Sequence, residues 1–391
     1  MKNNIVPLLS VCDFKGGSQP PKSEWIKEPK NGYVRMLQIR DFTQGNAEIE
    51  YVKIKEKMNF CSEKDILIAR YGASIGKIVT GLSGTYNVAL IKAIPDESKL
   101  SKKYLYYFLK SKTFQNFVQN VGSRAAQAGF NKEDLKSVDI YLPTLSEQEK
   151  IVELLELTND NISKRKSQIA ALDELTQSVY LEMFGDSFTN DKNYPTQLLS
   201  DIASIGSSKR VFVKELVDEG IPFYRGTEVG SLALGEDISP TLFITEEHYI
   251  NLKESSGVPV IGDLLMPSIC PDGRIWRVQD NKPFYFKDGR VLWIHFTTND
   301  VNTLFIQYAL KDKLIRDYSN IASGTTFAEL KIFSLKNVKI MIPPLDLQNK
   351  FESIVNKIDD QKKIMAVSLQ GMKDNYNSLL QKAFKGELFQ E

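Results

Sequence analysis

The sequence predicts an α+β fold built twice: two tandem globular domains, each followed by a long helix, with the two helices pairing as an antiparallel coiled coil. Three observations predict it. First, residues 135–151 read LKSVDIYLPTLSEQEKI and residues 335–351 read LKNVKIMIPPLDLQNKF, an ungapped repeat at an offset of 200. A period of this size marks a duplicated unit. Second, each copy runs into an apolar pattern of alternating four- and three-residue steps, the heptad signature. Third, short strand-like runs (Asp65–Ala69, Val88–Ile94, Arg290–Phe296) are interleaved with one helical stretch per copy, near Tyr104–Val118 and Thr303–Tyr318. Strands and helices mixed in this way are an α+β pattern.

The long helices are the clearest elements. No Gly or Pro occurs between Ser146 and Gly185. The predicted seam is Ile151, Leu155, Ile162, Ile169, Leu172, Val179 and Met183, with Thr158, Arg165 and Thr176 as polar members. The second copy places Phe351, Val355, Ile358, Lys362, Met365, Leu369, Met372, Tyr376, Leu379 and Ala383 at the matching steps. Ser146 with Glu149 reads as a capping box and Asp346 as an N-cap. Pro143 and Pro343-Pro344 keep the preceding chain extended, and Gly371 is the expected site of a bend. Helices of about 38 residues span roughly 57 Å. Neither buries its stripe alone, so the two either pack on each other or lie separately on their own domains. The expected boundaries are 1–144 and 191–344 for the domains, and 145–190 and 345–391 for the helices.

The domains repeat more weakly. Leu8-Leu9-Ser10 matches Leu198-Leu199-Ser200, and Arg35 matches Arg225, at offset 190. Asp65-Ile66-Leu67-Ile68 matches Asp263-Leu264-Leu265-Met266, and Gly76-Lys77-Ile78 is echoed by Gly273-Arg274-Ile275.

Composition sets limits. The 391 residues carry 50 Lys+Arg against 49 Asp+Glu, a net charge of +1. Taken whole, this argues against a nucleic-acid partner, but its distribution does not. Residues 1–140 carry 22 basic and 14 acidic side chains, a net of +8; residues 141–190 are at −5, 191–340 at −2 and 341–391 at 0. The first domain attracts a phosphate backbone, whereas the second relies on local basic clusters. Three distant cysteines (Cys12, Cys61, Cys270) and two histidines (His248, His295) argue against a disulfide framework, a zinc knuckle or a His-based triad. No apolar run reaches the roughly 18 residues a membrane span needs. Leu9-Ser10-Val11-Cys12 faintly resembles a lipoprotein cleavage site, but Pro7 interrupts a stretch already too short for a signal sequence, leaving the cytoplasm as the expected compartment.

Candidate contact residues fall at strand ends and in Gly-rich loops. In the first domain they are Arg35, Gln38 and Arg40; Arg70, Tyr71, Ser74 and Lys77; and Ser123, Arg124 and Gln127. In the second they are Lys209, Arg210 and Arg225; Ser268, Arg274, Arg277 and Arg290; and Thr325 and Thr326. Arg and Gln side chains read guanine or adenine edges bidentately, while Ser, Thr and Lys more often hold phosphates. Any single cluster reads equally well as a solvated face.

Stretches that resemble enzyme motifs fail on their spacing. Gly72-Ala73-Ser74-Ile75-Gly76-Lys77 has three residues between its glycines where a P-loop has four, and Ile78 stands where a magnesium-binding hydroxyl belongs. Phe14-Lys15-Gly16-Gly17 lacks dinucleotide-binding spacing and reads as a turn. The Asn/Asp-Pro-Pro-aromatic segment of an amino-methyltransferase is absent, and His248 and His295 lack a Cys or acidic partner at ligand spacing. No catalytic residue and no metal site is expected.

Two α+β modules, each ending in Tyr141-Leu142-Pro143-Thr144-Leu145-Ser146-Glu147-Gln148 or Met341-Ile342-Pro343-Pro344-Leu345-Asp346-Leu347-Gln348 and then a long helix, resemble the specificity subunit of type I restriction–modification systems. The stretch from Asp65 to Lys77 is similar to that family's module pattern, and the resemblance covers essentially the whole chain. Leu347, where the family usually has an acidic residue, and Pro271-Asp272 in the second Gly-rich loop depart from it. The resemblance implies two target-recognition domains, each reading one half of a bipartite asymmetric site on double-stranded DNA. It implies helices that set the spacer and dock two adenine-methyltransferase subunits, and two restriction/translocase subunits that join them. S-adenosylmethionine, ATP and magnesium are then expected on the partners, with no cofactor in this non-catalytic chain. A coiled-coil scaffold that never touches DNA, or a DNA-acting enzyme with an unrecognised active site, is the alternative.

Overall fold

The structure, a computed structural model, describes residues 4–122, 129–324 and 328–389. Two compact units divide it: Met1–Ser167 with Ala366–Glu391, and Gln168–Met365. Each unit therefore holds one domain and a part of each long helix.

In the first unit a four-stranded antiparallel sheet runs in the order Cys12–Gly16, Leu90–Pro95, Ile66–Ala69, Ile78–Val79. Ile66–Ala69 is apolar throughout and buried throughout, as a central strand covered on both faces must be. The Asp65 carboxylate accepts the Ser62 N–H at 2.9 Å and braces the turn that launches this strand. A second sheet pairs Tyr33–Leu37 antiparallel with Tyr51–Lys53 and parallel with Gly84–Tyr86. A two-stranded ribbon, Ile5–Pro7 with Asp139–Tyr141, ties the domain's ends together.

The second unit repeats this plan. Its antiparallel sheet is ordered Ala203–Gly206, Val291–Phe296, Leu264–Pro267, Trp276–Arg277. Asp263 braces the turn before the central strand by accepting the Val260 N–H at 3.0 Å. Ile221–Tyr224 pairs parallel with Tyr285–Phe286, and the closing ribbon is Thr196–Leu198 with Lys339–Met341. The repeat extends to single hydrogen bonds: Leu8 N–H to Val138 O and Leu199 N–H to Val338 O are both 2.8 Å. These bonds set Leu8 against Leu199, one residue away from the pairing read in the sequence.

Several sequence expectations change. The helical stretch of the first domain is two helices, Lys102–Lys110 and Lys112–Gly122, broken where Ser111 turns extended (ψ 152°). Its counterpart Thr303–Ile321 carries one non-helical residue, Asp317. Gly17 is not in a turn. Its N–H donates to Leu90 O at 3.1 Å, and a Cβ there would lie 2.1 Å from Asn87 O, so backbone crowding demands glycine.

The long helices are Leu145–Phe184 and Leu345–Lys385, 40 and 41 residues, roughly 60 Å each. Both run into a left-handed glycine, Gly185 (φ 73°) and Gly386 (φ 72°), which stops the helix. The first helix is capped by Thr144 and Glu147, not by Ser146 and Glu149: the Glu147 carboxylate accepts the Thr144 N–H at 2.8 Å, and the Thr144 hydroxyl accepts the Glu147 N–H at 3.3 Å. Pro143 holds the chain extended up to Thr144, which places the cap two residues earlier. Asp346 lies inside the first turn of the second helix, where its charge favours the positive end of the helix dipole. Gly371 faces open space in an unbroken helix and marks no bend.

Every seam position is at least half buried. Ile151, Leu155, Ile162, Phe351, Val355 and Ile358 are buried; Ile169, Leu172, Val179, Met365, Leu369, Met372 and Leu379 are half buried. In the first unit Ile151, Leu155, Leu380, Ala383 and Phe384 share one apolar core with Leu105, Phe108 and Phe114 of the domain. In the second unit an aromatic knot joins both helices to the domain: Phe184 lies 4.6 Å from Phe305 and 5.4 Å from Phe351, and Tyr180 lies 5.6 Å from Phe351 (ring centroids). Asp173 pairs with Lys362 at 2.6 Å. Moving forward along the first helix from Asp173 to Tyr180 thus moves backward along the second from Lys362 to Phe351, an antiparallel arrangement.

Candidate nucleic-acid interface

Within each unit, three loops meet at one end of the antiparallel sheet. In the second unit Ser268 N–H donates to Arg290 O at 2.9 Å, Leu330 N–H to Ser268 O at 2.7 Å, and Lys287 N–H to Tyr224 O at 2.8 Å. In the first unit Arg70 N–H donates to Ala89 O at 2.8 Å, Phe130 N–H to Arg70 O at 3.3 Å, and Asn87 N–H to Leu37 O at 3.0 Å. The same backbone bonds make Arg70 the counterpart of Ser268, Asn87 of Lys287 and Gln38 of Arg225. The sequence match of Arg35 to Arg225 is therefore corrected. Gln38 and Arg225 each precede a short helix, and their N–H groups are both accepted at 2.8 Å by a carboxylate three residues on, Asp41 and Glu228.

The second unit builds a pocket of about 430 Å³ lined by Arg225, Gly226, Thr227, Lys287 and Arg290 on one side and by Pro267, Ser268 and Ile269 of the central strand's end on the other. The pocket lies at the N-terminus of the helix Gly226–Ala233, and three residues with cationic side chains line it, a setting suited to phosphate oxygens or base-edge acceptors. Arg225 is held by Glu228 through Nη2 to Oε1 at 2.6 Å. Burial would raise the Glu228 carboxyl, but hydrogen bonds from the Arg225 guanidinium, the Arg225 N–H and Thr227 overcome it and hold the group down at about 2. Arg290 reaches Glu329 at 3.5 Å and remains largely exposed.

Other candidates are committed to the scaffold. Ser268 is buried and donates to Glu329 at 2.8 Å, so its hydroxyl does not face solvent. Arg277 binds Thr303 at 3.0 Å and Glu352 at 2.8 Å, fastening the sheet to the second long helix rather than facing outward. Arg274 pairs with Asp272 at 2.8 Å and abuts Gly230. In the first unit Arg35 pairs with Asp41 at 2.9 Å, and Glu50 gathers Arg40, Gln38 and Lys22. These groups form an ion-pair network around Asp41 and Glu50 that fixes their positions. Arg70 donates through Nε to Phe130 O at 2.9 Å and lies 5.0 Å from the Tyr71 ring, while Tyr71 and Lys77 are exposed and Ser74 is half buried. Lys209 and Arg210 are exposed, and Arg210 pairs with Asp288 at 2.9 Å. Ser123, Arg124, Gln127, Thr325 and Thr326 lie outside the described residues. Lys287 escaped sequence reasoning because its position is set by a parallel strand pairing that no local motif announces.

His295 does have an acidic partner. Its Nδ1 lies 3.0 Å from the buried Asp263 carboxylate, which also accepts the Trp293 indole N–H at 2.8 Å. The partner is 32 residues away, brought in by the pairing of Leu264–Pro267 with Val291–Phe296. The cysteines are buried and free. Burial pushes the Cys12 and Cys270 thiols up to about 12 and Cys61 to about 11, away from nucleophilic use. Among the described residues no cluster of three or more His, Cys, Asp or Glu side chains is placed to hold a metal, and no helix is long and apolar enough to cross a membrane.

The sequence pattern of the type I restriction modification DNA specificity domain matches this chain twice, at residues 2–172 and 192–370. The chain is 26% identical to the type I restriction enzyme MjaIX specificity subunit of Methanocaldococcus jannaschii, over 98% of this chain and 93% of that protein. It is 21% identical to the type I restriction enzyme StySPI specificity subunit of Salmonella potsdam, over 98% and 88%. Among solved structures, the fold is similar to a chain from work on complex assembly and conformational transition of the type I R-M system (TM-score 0.62, 16% identity, 98% of each chain). It is also similar to the type I restriction–modification S subunit from M. genitalium (TM-score 0.51, 17% identity, 98% and 97%). With both halves of the sequence matched and both built on one scaffold, the chain belongs to the type I restriction modification DNA specificity domain family.

Proposed function

We propose that this chain is the non-catalytic DNA specificity subunit of a type I restriction–modification complex. Residues 1–144 and 191–344 act as target-recognition domains, each reading one half of a bipartite asymmetric site on double-stranded DNA. The helices of residues 145–190 and 345–391 fix the unread spacer and dock two adenine-methyltransferase subunits, which two restriction/translocase subunits join. S-adenosylmethionine, ATP and magnesium belong to those partners, and the complex works in the cytoplasm.

The observation that carries this reading is the doubled domain with unlike side chains at like positions. Gln38 stands where Arg225 stands, and Asn87 where Lys287 does. One backbone frame with different loop chemistry suits two unrelated half-sites. Exposed apolar side chains outside the helix seam, Leu157 and Val367 in the first unit and Leu175 and Ile364 in the second, offer partner subunits apolar contacts on each unit.

The test is to express the chain with its methyltransferase subunits in a host strain and map the methylated motif across the genome. Exchanging residues 1–140 for another family member's module should then change one half of the motif and leave the other half and the spacer alone. A change in both halves would contradict modular reading, and the absence of any sequence-specific methylation would favour a scaffold that does not touch DNA.

A further inference from the structure

The Arg225 guanidinium is held side-on by one carboxylate. Its Nε donates to Glu228 Oε2 at 3.2 Å and its Nη2 to Glu228 Oε1 at 2.6 Å. Glu228 is itself fixed, accepting the Arg225 N–H at 2.8 Å and the Thr227 hydroxyl at 2.9 Å. A guanidinium carries five N–H donors in one plane. The pairing with Glu228 uses one on Nε and one on Nη2. The end-on pair, on Nη1 and Nη2, has no partner among the described residues. Arg225 lines the pocket, and its side chain is half exposed. Two parallel donors of set orientation therefore stand at the pocket.

The scaffold does not require an arginine there. In the first unit Asp41 caps the matching helix in the same way, yet Gln38 precedes that helix and donates through Nε2 to Glu50 at 3.0 Å. The charges around the pocket decide what the donor pair fits. Each carboxylate beside it is matched. Glu228 holds Arg225, Asp288 holds Arg210 at 2.9 Å and Lys287 at 3.3 Å, and Glu329 holds Lys331 at 2.6 Å and Arg290 at 3.5 Å. The opposite wall, Pro267, Ser268 and Ile269, is uncharged, with the Ser268 hydroxyl turned to Glu329. A phosphate on the Arg225 donors would bring a second anion close to Glu228, whereas a neutral base edge would not. Among base edges in the major groove, guanine alone sets two acceptors side by side, O6 and N7. Adenine has a donor beside its N7, and cytosine and thymine offer no such pair.

Resting on the specificity-subunit reading, we propose that Arg225 reads one guanine of the second unit's half-site through O6 and N7, and that Glu228 is the positioning residue that aims it.

The experiment uses the full chain assembled with its methyltransferase subunits and the methylated motif as duplex. Exchange of residues 191–344 identifies the half-site belonging to this unit. Each guanine of that half, on either strand, is replaced in turn by 7-deazaguanine, which removes the N7 acceptor and keeps the base pair. At one guanine the replacement is expected to weaken binding about tenfold, the scale of one charge-assisted hydrogen bond. Arg225→Ala should weaken binding to the natural site and erase the discrimination at that guanine alone. Glu228→Gln should shrink the same discrimination and leave that at every other guanine intact. The ratio of the two duplexes is read within one folded complex, so lost stability by itself does not move it. A half-site without guanine, tolerance of 7-deazaguanine at every guanine of that half, or undiminished discrimination in Arg225→Ala, the result for an arginine that holds a phosphate, would overturn the proposal. Undiminished discrimination in Glu228→Gln would remove the positioning role. If the wild-type complex binds no sequence specifically, the specificity-subunit reading falls first and takes this inference with it.

Discussion

The side-chain oxygen of Gln348 accepts the backbone N–H of Asn302 at 2.8 Å, while its amide nitrogen donates to Pro343 O at 2.7 Å. Gln148 repeats this in the other unit, accepting the Ser101 N–H at 2.9 Å and donating to Lys99 O and Pro143 O at 2.7 and 2.9 Å. Both glutamines are fully buried. Each fastens the first turn of a long helix to the residue that caps its domain's own helix, Ser101 or Asn302. The repeated Pro-x-Leu-x-x-Gln segment is thus a joint between domain and helix: proline supplies a carbonyl in an extended chain, and glutamine, one turn into the helix, reads it.

Gln148→Ala and Gln348→Ala should each destabilise the chain by about 2–4 kcal/mol, because several buried backbone groups lose their partner at once. Urea unfolding of the assembled complex measures this, and a loss under about 0.5 kcal/mol would remove the joint from the account.

Phe351→Ala should cost about 3–5 kcal/mol, since Phe351 is fully buried against Tyr180, Phe184 and Tyr308. Leu172→Asp, half buried on the helix seam, should weaken assembly through the buried charge. Neither should alter the methylated half-sites. Mapping the motif in strains carrying each variant checks this, and a changed half-site with intact assembly would sink the helices' spacer role.

Glu228→Gln carries a pH signature. The native carboxyl titrates near 2 against an ordinary value of 4.5, so its contribution is complete above the ordinary value and is lost as pH falls through the native one. The variant should be less stable than the wild type by on the order of 2–3 kcal/mol at pH 7. The gap should shrink steadily below about pH 4. A gap that does not change between pH 7 and pH 3 would contradict the Arg225–Glu228 pairing.

Arg225→Ala and Arg290→Ala should weaken specific DNA binding by about 1–3 kcal/mol each if the side chain reads a base. Preference should relax only within the half-site of the second unit. Titrations against duplexes randomised in one half at a time separate the halves, and relaxation in the other half would show that the pocket is not a local reader.

The offset-200 repeat and the heptads of the long helices were legible because both are periodic in the chain itself: a helix shows its buried face at fixed spacing, and each boundary carries its own Gly or Pro. The cap at Thr144, two residues before the expected Ser146, shows how far that legibility reaches, since Ser, Thr and Glu crowd the segment and only backbone geometry selects the pair. The interface was legible in part. The sequence marked Arg225 and Arg290 as basic residues at strand ends, but burial of the Ser268 hydroxyl and the engagement of Arg277 by Thr303 and Glu352 appear only once the sheet is assembled. Lys287 and Asn87 become counterparts through a parallel strand pairing, and Asp263 meets His295 across a strand pair. By itself the sequence determined that one module is used twice and that two long helices follow, because duplication and helical periodicity are written along the chain. Only the tertiary structure decided which polar side chains face outward and which serve as fastenings, because that depends on long-range strand register.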